Sequence, residues 1–326
     1  MVGYMKRIFF IFSALMLCSA AAFAASEEVV IECPWGGIAA TLATPECGAD
    51  VAVLIVAGSG PTDRNGNSGL NLNSYAYKRL SEALVEAGYA VLRYDKRAIG
   101  GSAIPAEEVP NLLFGDYVED AERCVAWLYE RGFTRVFMAG HSEGGTIALE
   151  VAARDRVTLS GAVLLAAPGY PMDQILVSQL AAQLIPSHIG LFVAAQSIIA
   201  KIKEGVEVTA EDIPAELISL FHPTVQPFLR SSMQSDPAQL IARCDEPMLI
   251  ITGGRDIQVS VDNGQRLQSA ARDARHVTFA NMSHVLKDAA SSDRMEQVVS
   301  VYTNSQLPLT EGLVPAIVEF LNNVTK

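Results

Sequence analysis

Ser142 stands in the pentapeptide Gly140-His141-Ser142-Glu143-Gly144, after the apolar run 135–139 and before the helix-like stretch 145–153. Gly-x-Ser-x-Gly between a strand and a helix is a sharp turn that lifts a serine hydroxyl above a sheet edge, where it can attack a carbonyl. The pentapeptide alone recurs by chance in about one chain of this length in ten, so its surroundings decide. Serine is a poor nucleophile until a base takes its proton and a third group orients that base. The chain has five histidines. His141 adjoins Ser142, and neighbours on a sharp turn do not face each other, so it is a poor base. His188 and His222 fall in a stretch without strands, and His276 begins an expected strand as a structural or surface residue. His284 follows the last expected strand in Asn281-Met282-Ser283-His284, where a base can reach across the strand ends. The acid should lie between serine and histidine. Asp256 directly follows the run 248–254, while Asp262, the second choice, sits where a helix would begin.

A tetrahedral oxyanion needs two preorganised N–H donors. The Glu143 amide is one, at a helix N-terminus where the dipole helps. The other should come from the glycine-rich loop 57–61, at Ser59 or Gly60, because glycines let backbone approach a substrate. Asp63 and Arg64 follow that loop. They read either as a polar clamp, with Arg64 binding substrate, or as a surface ion pair.

These residues need a frame. The stretches 29–33 and 37–42 predict a hairpin around Pro34-Trp35-Gly36. The runs 51–57, 90–94, 135–139, 160–166 and 248–252 are apolar without alternation, as strands covered on both faces require. Helical patterns over 74–87, 117–131, 146–154, 261–271 and 313–323 separate and follow them, with a last strand over 276–280. This alternation predicts an α/β fold, a mostly parallel doubly wound sheet with right-handed crossovers. One interval breaks the rhythm: residues 169–245 hold only helical patterns (172–185, 189–202, 214–220, 225–233). An insertion this long is usually functional, and it is read as a helical cap between two halves of the core, 25–168 and 246–326. Its apolar positions Leu176, Leu180, Leu184, Ile185, Leu191 and Phe192 are either an acyl pocket or, by preference, the cap's own packing face.

Half of the 326 residues are apolar and 18% are charged, which suits a large core. The net charge of −12 and the lack of a basic cluster argue against nucleic-acid or anionic-membrane partners. Residues 1–24 read as an export signal: Lys6 and Arg7, a ten-residue apolar run too short to span a bilayer, then Ala22-Phe23-Ala24. Its removal would take the charge to about −14, and would place the chain in the periplasm or outside the cell. Cys33, Cys47, Cys124 and Cys244 would then meet an oxidising compartment. Cys33 and Cys47 flank the expected hairpin and are candidates for a bridge, whereas Cys124 reads as a buried thiol. No cysteine–histidine spacing suggests zinc, so neither metal nor cofactor is expected.

The loop 57–66, Arg93-Tyr94-Asp95-Lys96-Arg97, the turn 140–145 and Asp256-Ile257-Gln258-Val259 together resemble the α/β-hydrolase superfamily over nearly all of the mature chain. The order Ser142, Asp256, His284 is that superfamily's order. The group resembled is one of bacterial serine esterases, with serine aminopeptidase-like and dienelactone hydrolase-like members. The resemblance implies the α/β-hydrolase type of fold, the triad and hydrolysis of small-molecule carboxylic esters of short or medium acyl chain. The sequence departs from that pattern at Ala57, where histidine is usual, and at Ala98, where glycine is usual. The alternatives are a serine aminopeptidase or amidase, with Glu107, Glu108, Glu211 or Asp212 to capture an amine, and a non-catalytic binding protein on the same scaffold.

Overall fold

The computed structural model describes residues 25–326 apart from 70, 71 and 186. The expected export signal lies outside the described residues. The strands are β1 (Ala25–Cys33), β2 (Gly36–Thr44), β3 (Val51–Val56), β4 (Asn67–Ser68), β5 (Leu72–Asn73), β6 (Ala90–Tyr94), β7 (Arg135–His141), β8 (Gly161–Leu165), β9 (Met248–Gly253) and β10 (Ala274–Phe279). β4 and β5 form a separate two-stranded sheet, while the other eight form one sheet in the order β1-β2-β6-β3-β7-β8-β9-β10. β1, β2 and β6 pair antiparallel, and from β6 to β10 all pairs are parallel.

The unalternating runs have a direct cause: both faces of the parallel strands are covered. Ala52, Leu54 and Val56 of β3 pack on one face with α2 (Phe114–Glu130) and α3 (Glu143–Arg154). Val53 and Ile55 point the other way, onto α1 (Ala76–Glu86) and α11 (Leu313–Thr325). Residues i and i+2 share a face of a strand, so an apolar face on each side needs an apolar residue at every position. The helices pay for only one face each. Tyr77, Leu80 and Leu84 of α1 recur at spacings of three and four and are buried.

Between β8 and β9, within the interval 169–245, run α4 (Met172–Leu184), α5 (Ile189–Glu204), α6 (Ile218–Phe221), α7 (Gln226–Ser232) and α8 (Pro237–Ile241). Periodicity finds α4 and α5 and misses α8. The later helices are single turns to two turns long, with a proline at the second position of α7 and the first of α8, too short for a period to register. Past α9 (Val261–Ala270), α10 (Arg294–Gln297) leads into a wider helical turn, Val298–Tyr302, that no sequence pattern announced.

The hairpin corrects the cysteine expectation. Cys33 pairs with Gly36 beside the turn, while Thr44 pairs with Ala25 at the opposite end. Cys47 lies beyond Thr44, so the nine-residue length of the hairpin, about 30 Å at 3.3 Å per residue, separates the thiols. Both are free, as are Cys124 and Cys244.

Candidate active site

β7 ends at His141 and α3 begins at Glu143, which leaves Ser142 alone to make the turn. Its backbone has a positive φ, at φ 51 and ψ −123, a strained position for a residue with a side chain. The flanking glycines make the turn possible. A Cβ on Gly140 would lie 2.2 Å from the Gly144 carbonyl oxygen, and one on Gly144 would lie 2.3 Å from that of Val56.

Asp256 and His284 meet from the loops after β9 and β10. His284 Nδ1 is 2.8 Å from Asp256 Oδ2, and the carboxylate is wholly enclosed. Its other oxygen accepts the backbone N–H groups of Gln258 and Val259 at 2.8 and 2.9 Å. With both oxygens committed, the acid is fixed and can hold the imbidazole in one orientation. Ser142, His284 and Ser59 line one cavity of about 180 Å³. Its other walls come from Thr62 and Gly66, from the β4–β5 segment through Ser68 and Leu72, from Ala76 and Tyr77 of α1, and from Gln258, Val285 and Tyr302.

A buried brace runs behind the serine. The Gly58 N–H donates to Tyr77 Oη at 3.0 Å, Tyr77 Oη lies 2.7 Å from His141 Nδ1, and His141 Nε2 lies 2.7 Å from the His284 carbonyl oxygen. Proton positions follow from the ends. A carbonyl only accepts, so His141 Nε2 carries the hydrogen. Burial, reinforced by the adjacent His284 ring, pushes the His141 pKa down to about 3, so the ring is neutral, Nδ1 accepts and the tyrosine donates to it. Neither ring nitrogen of His141 is free to serve as a base. The brace joins the glycine-rich loop to the His284 loop.

A second buried contact lies on the other side of Gly58. Lys96 Nζ donates to the Gly58 carbonyl oxygen at 2.6 Å and to Glu143 Oε1 at 2.9 Å, and it sits 4.9 Å from the Tyr117 ring centre. Both charged side chains are almost completely enclosed. Sequence reasoning singled out neither Lys96 nor Tyr77. Lys96 lies in the stretch 93–97 that carries the family resemblance, and its place just after β6 is its signal in the sequence.

Other expectations change. Gly60 is exposed and is not among the cavity's described lining residues, unlike Ser59, because the chain turns outward at Gly60 with φ 72. Arg64 also leaves the site: its guanidinium pairs with Asp95 and Glu28, each at 2.8 Å, and lines a separate surface cleft. Asp63 closes its own turn by accepting the N–H groups of Asn65 and Asn67. Asp262 is exposed in the first turn of α9. His276 bonds Thr252, and His188 and His222 are exposed in the insertion. Ala98 keeps the left-handed conformation that glycine would favour, at φ 69. Leu176 and Leu180 are buried in the insertion's own apolar core, with Leu184, Leu191 and Phe192 packed against it, while Ile185 is exposed. None of these lines the cavity around Ser142. Glu107, Glu108, Glu211 and Asp212 are exposed and do not line it either.

Comparison with known proteins adds a family. The model described as Serine aminopeptidase, S33 matches residues 66–288. Esterase EstD of Thermotoga maritima is 27% identical over 243 residues, which cover 72% of this chain and 54% of that protein. The chain therefore spans about half the length of that curated relative. A thermophilic esterase from Thermogutta terrifontis superposes with a TM-score of 0.56 at 20% identity, covering 92% of this chain and all of that one. A proline iminopeptidase from Mycobacterium smegmatis gives 0.58 at 17%, covering 91% and 98%. At such identities these two likenesses establish the shared fold.

Proposed function

The chain belongs to the serine aminopeptidase family of α/β-hydrolases, and from that premise we propose that it is an exported esterase hydrolysing small, uncharged carboxylic esters through an acyl-enzyme on Ser142. One observation carries the choice of substrate. Among the described residues lining the cavity that Ser142, His284 and Ser59 share, none is Asp, Glu, Lys or Arg. An aminopeptidase must hold the ammonium group of its substrate, and a buried ammonium without a carboxylate is costly. A neutral acyl group meets no such penalty among Leu72, Ala76 and Val285. The volume of about 180 Å³ suits a short acyl chain. The relative named as an esterase supports the same reading, and export rests on the pattern of residues 1–24 alone.

In this reading His284 Nε2 takes the proton of Ser142 as its oxygen attacks the ester carbonyl. Asp256 holds the imidazole through Nδ1 and stabilises the imidazolium. The tetrahedral oxyanion is held by the amides of Ser59 and Glu143. The C–O bond to the alcohol breaks, His284 returns the proton to the leaving oxygen, and water repeats the sequence to free the acid and Ser142.

Purified protein assayed on p-nitrophenyl acetate, butyrate and octanoate, and on aminoacyl p-nitroanilides, tests this. Ester turnover that falls with chain length and disappears in Ser142→Ala is expected. Faster anilide than ester turnover would transfer the assignment to the aminopeptidase reading. Absence of both, with no fluorophosphonate labelling, would leave a binding protein.

A further inference from the structure

Lys96 is enclosed to within 1% of its surface and does not itself line the cavity, although Gly58, which it bonds, does. Burying an ammonium is expensive, and a buried ion pair often contributes less than apolar packing of the same volume. What its contacts connect is therefore informative. Its two polar partners are Glu143 Oε1 and the Gly58 carbonyl oxygen. Glu143 also owns the first amide of α3, and Gly58 shares a peptide unit with the Ser59 amide.

That shared unit gives the contact its direction. The described residues contain no cis peptide bond. In a planar trans peptide the C=O and N–H point opposite ways. A Gly58 carbonyl drawn onto Lys96 turns the Ser59 N–H away from Lys96, and Ser59 lines the cavity beside Ser142. Neither the Ser59 nor the Glu143 amide donates to an acceptor among the described residues. The preceding amide, of Gly58, is already used by Tyr77, so rotation of the loop is blocked at both ends of Gly58. Hydrogen bonding to a peptide oxygen also polarises the same unit's N–H.

We propose that Lys96 is a positioning residue for the oxyanion hole, whose ammonium ties the Gly58–Ser59 peptide to the Glu143 side chain so that both amides are aimed at one point. The inference rests on the esterase reading only for the identity of the substrate, because any acyl transfer at Ser142 passes through the same oxyanion.

Lys96→Met, Glu143→Gln and the double variant test it. Lys96→Met leaves a buried carboxylate unpaired and lowers Tm; the double variant removes both charges and recovers most of that Tm. The expected result is a kcat on p-nitrophenyl acetate about 10- to 100-fold lower in both Lys96→Met and the double variant, with KM within threefold. Glu143→Gln, which keeps an oxygen acceptor for Lys96, loses less than either. The rate of fluorophosphonate labelling at Ser142 falls in parallel with kcat, and so does affinity for a trifluoromethyl ketone, while affinity for the acid product is unchanged. A double variant that regains wild-type kcat along with its Tm would overturn the proposal and leave the pair a stabilising contact. If the wild type labels at Ser142 but turns over no ester, the esterase reading fails while the labelling rates still decide the role of Lys96.

Discussion

Two regions flank Ser142, and they use their residues in opposite ways. The insertion 169–245 is long, helical and apolar, yet it adds none of the described residues to the cavity. Most of its apolar positions go into its own core, where Ile198, Ile199, Ile202, Phe221 and Met233 are buried, while Leu240, Ile241 and Cys244 join the core under the sheet and its last helices dock on the back of the site. Phe228 packs against Phe114 and Tyr117 of α2, and Ser235 bonds Glu150 of α3. The other region is mostly loop: 58–75 with the two-stranded β4–β5 piece inside it, the first turn of α1, and the segments around 258 and 284–302 with their short helical turns. These supply nearly every wall of the cavity. A set of helices must bury its apolar stripes against itself before it is stable. Loops held by hydrogen bonds at a few points are free to turn side chains toward a ligand.

The sharpest way to break this contrast is on the loop side. Asp256→Asn should lower kcat by about 10³- to 10⁴-fold with the fold intact, read by ester kinetics and circular dichroism; a loss below tenfold would remove Asp256 from the machinery. On the helical side, Ile198→Ala should cost about 2–4 kcal/mol of stability by denaturant titration and leave the acyl-length preference unchanged. Leu72→Phe should do the reverse, with little change in stability and a profile shifted toward acetate. If Ile198→Ala altered that preference, the division of labour drawn above would be wrong.

Tyr77→Phe takes the acceptor from Gly58 and the donor from His141, and should reduce kcat about tenfold, in line with the 1–3 kcal/mol that unsatisfied buried groups cost. A hydrogen-exchange measurement should show faster exchange at Gly58 and around His284. The smallest effect concerns Lys287, which is fully enclosed in the His284 loop and whose ammonium bonds the Asn304 carbonyl. Burial, with Arg79 nearby, pushes its pKa down to about 8 from 10.5. The folded chain releases this proton before the unfolded chain does, so this group adds stability as pH rises from about 8 to 10.5, and below 8 the buried charge counts against folding. Lys287→Met should thus gain Tm relative to the wild type at pH 7 and lose that advantage by pH 10. A Tm difference flat across this range would show that the lysine does not titrate as stated.

Much of the frame was legible because it depends on local rules. The runs 51–57 and 248–252 identified β3 and β9 nearly to the residue, and the strand–turn–helix around Ser142 needed only a pattern and two glycines. His284 and Asp256 were found through their positions after strands. Arg64 was misplaced because a guanidinium beside a cavity has several carboxylates within reach, and Asp95, 31 residues away, won it. Cys33 and Cys47 flank the expected hairpin, whereas register decides which residues of a hairpin face each other. The turn Val298–Tyr302, a wall of the cavity, carried no period at all.

The sequence by itself determined the sheet, the helices that cover it, and the order of serine, acid and base. Periodicity, glycine sterics and strand ends act within a few residues, so one chain read alone contains them. Tertiary structure decided which polar groups meet: Tyr77 with Gly58 and His141, Lys96 with Gly58 and Glu143, and Arg64 with Asp95 instead of a substrate. Each of these groups has many partners of equal chemistry along the chain, and only closure of the fold brings one within 3 Å and excludes water from the rest.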